Sequence, residues 1–236
     1  MADERRFDVI IVGAGIAGSA LAAALTGQGL DIALVEAQSL VVPELPDSCD
    51  LQSFDPRVSA LTPRSRALLE ALGVWDGIGG YRHCPYRHMT VWDAEGTGEI
   101  EFDGAEVGVP ALGYIVENRA ITRALLGPVL AAEDITCLSP ARLSACSLLD
   151  TGGVRVELEG AGTLQADLLV AADGALSPVR DMLGFSTREW EYGHQAIVAT
   201  VQGEQAHSQT ASQRFLPSGP LAFMPLPGEA GRHFCS

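Results

Sequence analysis

Six residues, Gly13-Ala14-Gly15-Ile16-Ala17-Gly18, constrain this chain more than any others, because their G-x-G-x-x-G spacing stands between a strand pattern and a helix pattern. Before them Phe7, Val9, Ile10, Ile11 and Val12 form an almost unbroken apolar run, as a parallel strand covered on both faces requires. After them Ala20, Leu21, Ala24 and Leu25 recur at helical spacing, and the helix is expected to stop near Gly27 and Gly29. In such a unit Gly13 permits the tight turn, Gly15 lets backbone approach a pyrophosphate, and Gly18 lets the helix pack close to the strand. The phosphates would rest beside Ile16 and Ala17, on unpaired N–H groups at the helix N-terminus. A second strand over residues 31–36 ends at Glu36, the acidic residue ~20 positions on that would accept hydrogen bonds from an adenosine ribose.

Charge narrows the partners. The 236 residues carry 30 acidic side chains against 15 basic ones, a formal charge of −15 that repels phosphate backbones and anionic lipid heads. No nucleic acid is expected to bind, and any membrane contact should be apolar. Every basic residue is Arg, so a phosphate-loop lysine and a Schiff-base lysine are both excluded. The apolar content of 47% suits one large or two small domains with a substantial core.

Cys49, Cys84, Cys137, Cys146 and Cys235 include no C-x-x-C pair, and their odd number argues for reduced thiols in a cytosolic protein. Residues 1–6 include an acidic pair and lead straight into the first strand, so no signal peptide is expected. No run of eighteen apolar residues occurs, so no spanning helix is expected either.

Beyond Glu36 periodicity is lost through Pro43, Pro46, Asp47 and Ser48, a surface loop. Residues 62–73 read as a short helix with Thr62 as N-cap, Pro63 at its first position and Gly73 closing it. From Arg87 the period shifts towards two. Strands are expected at 89–92 and 99–102 around an Ala94-Glu95-Gly96 turn, and then at 113–116. Asn118 reads as the N-cap of a helix over 119–130. Strands at 142–148 and 154–158 form a meander that returns to a buried strand at 167–172. Past Gly184 further strands are expected at 196–201, 212–216 and 221–226, with turns at 217–220 and 227–228.

A second motif, Asp173-Gly174-Ala175-Leu176-Ser177-Pro178-Val179-Arg180, follows the buried strand. An Asp at the carboxyl end of a parallel strand lies where open α/β sheets bind ligands. Ser177 with Pro178 reads as a helix start, and Arg180 either faces an anion or holds the turn together. A capped turn with a surface Arg explains the same residues.

Together the glycine unit, Asp55-Pro56-Arg57, the segment 113–119 and the D-G-x-x-S-x-x-R run resemble class A flavin monooxygenases. The likeness is to the ubiquinone-biosynthesis hydroxylases, whose fold is that of para-hydroxybenzoate hydroxylase. Tyr192-Gly193 and residues 213–222 look like that subfamily as well. The resemblance implies an α/β fold: a Rossmann-like FAD-binding domain with an inserted, mostly antiparallel β substrate layer. The FAD-binding parts are expected at 1–80 and 113–186, and the β layer at 81–112 and 187–236.

Carried over by resemblance, Gly13, Gly15, Ile16, Ala17 and Gly18 would hold the FAD pyrophosphate and Glu36 the ribose. Arg57 would lie near the flavin and Asn118 would offer a polar side chain to it. Asp173 and Gly174 would serve both FAD and transient NAD(P)H, and Ser177 and Arg180 would support that loop. Without the resemblance, a surface salt bridge for Arg57 and a plain helix cap for Asn118 are the favoured readings. No side-chain nucleophile is implied, since the cofactor carries the chemistry.

The activity implied is NAD(P)H-dependent hydroxylation of an electron-rich ring, with a prenylated phenol or quinol as substrate. Contact with the inner membrane periphery or a biosynthetic complex goes with such a substrate. An FAD-dependent oxidase or dehydrogenase is the alternative enzyme, because the glycine motif is common to both. Relatives continue past residue 236 with a second glycine-aspartate motif and a helix that closes the flavin cleft. The chain is therefore expected to be C-terminally truncated, to bind FAD weakly or not at all, and not to hydroxylate by itself. His83, Cys84 and His88 lie close in sequence, but nothing completes a metal set around them, and no H-E-x-x-H or G-x-S-x-G occurs.

Overall fold

The computed structural model describes residues 4–160, 162–228 and 232–236. In chain order the elements begin with β1 (Glu4–Val12), α1 (Ile16–Leu25), β2 (Ile32–Val35), β3 (Val58–Leu61), α2 (Pro63–Ala71), α3 (Trp75–Gly79) and β4 (His83–Tyr86). Next come β5 (His88–Asp93), β6 (Glu99–Asp103), β7 (Gly113–Glu117), α4 (Asn118–Ala131), β8 (Ile135–Leu138), β9 (Leu143–Leu148) and β10 (Val154–Leu158). The remainder are β11 (Gly162–Ala171), α5 (Pro178–Met182), β12 (Val201–Gly203), β13 (Thr210–Leu216), β14 (Gly219–Phe223), β15 (Pro225–Leu226) and β16 (His233–Cys235).

Two compact units emerge, one of residues 1–42 and 122–190 and the other of 43–121 and 191–236. The first is built on a six-stranded sheet in the order β8-β2-β1-β11-β10-β9. From β8 to β11 the strands are parallel, with Val9 opposite both Ile32 and Leu168, and β10 and β9 extend the sheet antiparallel. The continuous apolar run of β1 now has its explanation. Ile10 and Val12 pack on one face with Val35, Val156 and Leu164, while Val9 and Ile11 pack on the other with Ala22, Leu34 and Val129. A strand buried on both faces cannot alternate with polar residues.

The second unit holds three small sheets, β3-β7-β4, β14-β13-β5-β6 and β12-β16-β15. All their pairings are antiparallel except β5 with β13, which run parallel with Thr210 opposite His88. A core cluster of Phe54, Ile115, Leu226 and Phe234 lies within it. The 94–96 turn forms as expected, with Asp93 Oδ1 accepting the N–H groups of Glu95 and Gly96. Thr62 caps α2 by accepting Ser65 N–H at 3.1 Å.

The units part at 42/43, 121/122 and 190/191, whereas the expected segments part at 80/81, 112/113 and 186/187. Residues 43–80 fall in the second unit because β3 pairs with β7, and β7 pairs with β4. Residues 196–201 were expected as a strand, yet pairing starts only at Val201. Ile197 is 93% exposed, so its β-branched run has no neighbouring strand to join. The strand expected at 221–226 breaks at Met224, because Phe223 pairs with Ser212 in one sheet and Pro225 with Cys235 in another. β8 was not foreseen; its four residues are too few to carry a period.

Candidate functional site

Gly13, Glu36 and Asp173 lie just past the carboxyl ends of β1, β2 and β11, three neighbouring parallel strands. The sheet reverses its direction of winding at β1, which is where open α/β sheets bind ligands. Gly13 has φ +98°, and a Cβ there would stand 2.3 Å from the Ala172 carbonyl oxygen. A Cβ on Gly18 would fall 1.9 Å from the Gly13 carbonyl oxygen. Both glycines are therefore required by backbone packing. Gly15 differs, since a Cβ at that position would meet no protein atom within 4 Å. Its bare backbone faces open space.

Gly15 is the N-cap of α1, no side chain caps the helix, and its first turn has no acidic residue. The opening N–H groups at Ile16, Ala17 and Gly18 belong to the turn that has no intrahelical acceptors, and the macrodipole makes that end attractive to an anion. Glu36 Oε2 accepts Ala14 N–H and Oε1 accepts Gln38 N–H, each at 2.9 Å. These bonds fix the carboxylate beside the glycine turn, and each oxygen keeps further acceptor capacity. A cavity of about 190 Å³ is lined by Gly13, Glu36, Ala141, Arg142, Asp173 and Val179, among others. An uncapped helix end, an open glycine and a fixed carboxylate fit the pyrophosphate and ribose of a dinucleotide.

The second motif forms a compact turn. Asp173 Oδ2 accepts Val179 N–H at 3.1 Å, Gly174 takes φ +89°, and the buried Ser177 caps α5 by accepting Arg180 N–H. Arg180 Nη1 donates to the Ala175 carbonyl at 2.7 Å, so its guanidinium ties the turn together.

Arg57 and Asn118 fall in the second unit. The pairing of β3 with β7 brings them side by side: Asn118 N–H donates to the Arg57 carbonyl at 2.9 Å, and Ser59 Oγ donates to Asn118 Oδ1 at 2.6 Å. Both line a cavity of about 640 Å³ whose other walls include Ile197, Val198, Leu221 and Phe223. Those apolar wall residues, and Arg142 in the first unit, escaped the sequence reading. Consecutive apolar residues of β14 carry no period that marks a face, and Arg142 is an exposed residue without a motif.

The His83, Cys84 and His88 group resolves into three separate environments. His83 packs edge-on against Trp75 at 5.7 Å; burial pushes its pKa down, and the Arg66 charge adds to this against a raising bond to the Gly79 carbonyl. Burial, with a smaller contribution from Cys235, pushes the Cys84 thiol up to about 11. His88 lies 3.6 Å from Asp103 on the surface. Among the described residues no three His, Cys, Asp or Glu side chains gather in a way that would hold a metal. Nor is any helix among them long and apolar enough to cross a membrane.

The chain is 36% identical over 219 residues to the 3-demethoxyubiquinol 3-hydroxylase of Escherichia coli, covering 93% of this chain and 54% of that protein. It is 36% identical to the ubiquinone hydroxylase UbiL of Rhodospirillum rubrum, covering 94% of this chain and 49% of the relative. It thus spans about half the length of the curated relatives it matches. Among solved structures, PqsL, a probable FAD-dependent monooxygenase from Pseudomonas aeruginosa, superposes with a TM-score of 0.75 at 19% identity, covering 98% of this chain and 60% of that one. An HpxO variant from Klebsiella pneumoniae complexed with FAD gives 0.67 at 21% identity, covering 97% and 56%. These structural likenesses establish the fold. The FAD binding domain family matches residues 6–217, and the chain, with its glycine turn, placed carboxylate and mixed α/β fold, belongs to that family.

Proposed function

We propose that this chain is the FAD-binding portion of a hydroxylase that acts on a small, electron-rich phenolic or quinol precursor of ubiquinone, with NAD(P)H as transient reductant. The observation that carries the reading is the open backbone at Gly15 beside the fixed Glu36 carboxylate. The names of the relatives supply the substrate class.

In this reading the N–H groups from Gly15 to Gly18 hold the pyrophosphate, Glu36 accepts the ribose hydroxyls, and Asp173 with Gly174 forms the turn beside them. Arg180 supports that turn through the Ala175 carbonyl. Arg57 and Asn118 offer a cation and an amide to the flavin ring, and the apolar wall of Ile197, Leu221 and Phe223 excludes water around the ring to be hydroxylated. Bound FAD supplies the oxygen-transfer chemistry. A prenylated substrate would be drawn from the cytoplasmic face of the inner membrane through peripheral contact, with an apolar rather than a charged surface suited to a chain of net charge −15.

The test is incubation of the protein with FAD, NADH or NADPH and a short-chain demethoxyubiquinol analogue, followed by mass spectrometry. A product heavier by one oxygen atom would support the hydroxylase reading and overturn the expectation that the chain does not hydroxylate by itself. Reduced flavin with a merely dehydrogenated product would replace the hydroxylase reading with a dehydrogenase.

A further inference from the structure

Among the described residues of the second unit Glu117 is the one buried carboxylate, at 1% exposure, and it sits directly before Asn118. Its Oε2 accepts the backbone N–H of Asp55 at 2.7 Å and an Arg119 guanidinium N–H. Its Oε1 lies 3.1 Å from Arg82 Nε, within ion-pair reach but off the line of a hydrogen bond. Arg82 and Arg119 in turn both donate to the Ser53 carbonyl. Two cations and one carboxylate thereby clasp residues 53–55 to the end of β7.

The hydrogen bonds continue to Arg57. Asp55 Oδ1 accepts Arg57 N–H at 2.9 Å, and the Arg57 carbonyl accepts Asn118 N–H, which closes a ring back to the residue beside Glu117. A buried carboxylate with two half-buried cationic partners is a poor device for stability alone, because an apolar trio of similar volume usually serves as well. A ring that passes through both polar residues of the 640 Å³ cavity has another use.

We propose that Glu117 is a positioning residue, which acts through Asp55 to hold Arg57 and Asn118 towards the occupant of that cavity. The claim rests on the reading of Arg57 and Asn118 as flavin-facing residues. Glu117→Gln keeps an oxygen for Asp55 N–H but sets an amide against a guanidinium and removes the charge both arginines share. Asp55→Ala leaves the buried pairs intact and cuts only the link to Arg57 N–H.

The experiment is a double-mutant cycle on FAD affinity, followed by flavin fluorescence, with E117Q, D55A and R57A singly and in pairs. Loss of either Glu117 or Asp55 weakens FAD by about tenfold in the otherwise unaltered chain and by clearly less once Arg57 is gone, where only Asn118 is left to position. An equal loss in both backgrounds would reduce Glu117 to a structural ion pair and overturn the proposal. If E117Q fails to fold, D55A carries the same comparison. Amide hydrogen exchange without FAD separates the proposal from the reading beneath it. E117Q should raise exchange at Arg57 and Asn118, neither amide hydrogen-bonded to the Glu117 side chain, at least about tenfold more than along β13. A uniform rise overturns positioning. FAD affinity unmoved by R57A, beside selective exchange at those two amides, would instead remove Arg57 from the flavin site and leave the positioning intact.

Discussion

The two units assemble their sites in opposite ways. The glycine turn and carboxylate of the first unit's cradle are contiguous: Gly13, Gly15, Gly18 and Glu36 lie on one strand-turn-helix-strand run, while Ala141, Arg142, Asp173 and Val179 come from afar to complete the cavity. The cavity of the second unit draws on 56–58, Asn118, 197–201 and 220–224, joined by strand pairing and a buried polar ring. One site depends on close backbone approaches, the other on long-range hydrogen bonds. Substitutions should therefore damage them differently.

The largest effects are expected at the glycines. Gly13→Ala and Gly18→Ala push a methyl into carbonyl oxygens at 2.3 and 1.9 Å, and each should cost on the order of 3 kcal/mol or more in urea unfolding. Gly15→Ala meets nothing and has an ordinary backbone, so its stability should change by only about 0.5 kcal/mol while FAD affinity falls steeply. Equal destabilisation by all three would erase the distinction between packing glycines and a ligand-facing one. A smaller effect belongs to the second unit, where Thr62→Ala removes the cap of α2 and should cost about 1 kcal/mol without touching nucleotide affinity.

The contiguous cradle was legible because each element announces itself locally. An apolar run buried on both faces, glycines at fixed offsets and an acid at the next strand end all follow from backbone geometry. The second unit was legible only in pieces. Thr62 and the Asp93 turn carry local chemistry and appear where expected. Ile197 has the composition of a strand and no partner, and Met224 sits where one apolar run divides between two sheets. Pairing across a hundred residues leaves no period in either partner. The two arginines of Glu117 lie 35 residues away and two residues away, a relation that only the fold displays.

The smallest effect sharpens the contrast through pH. His83 has its folded pKa lowered, so the unfolded chain, titrating near ~6.5, binds the proton more readily. Its contribution to stability is present above that value and is lost as pH falls through it towards the folded pKa. Thermal unfolding from pH 7.5 to 5 should fall more steeply for the unaltered chain than for His83→Gln. Parallel profiles would show that the ring beside Trp75 is not protected from protonation.

The central claim, that the cradle around Gly15 and Glu36 is a dinucleotide site, is tested most directly by calorimetric titration of FAD and of ADP against the unaltered chain and Glu36→Ala. FAD and ADP should compete for one site, and removal of the carboxylate should weaken both by about 1 to 3 kcal/mol, since both carry the ribose it receives. Binding of FAD that ADP does not displace, or that Glu36→Ala leaves unchanged, would contradict the account.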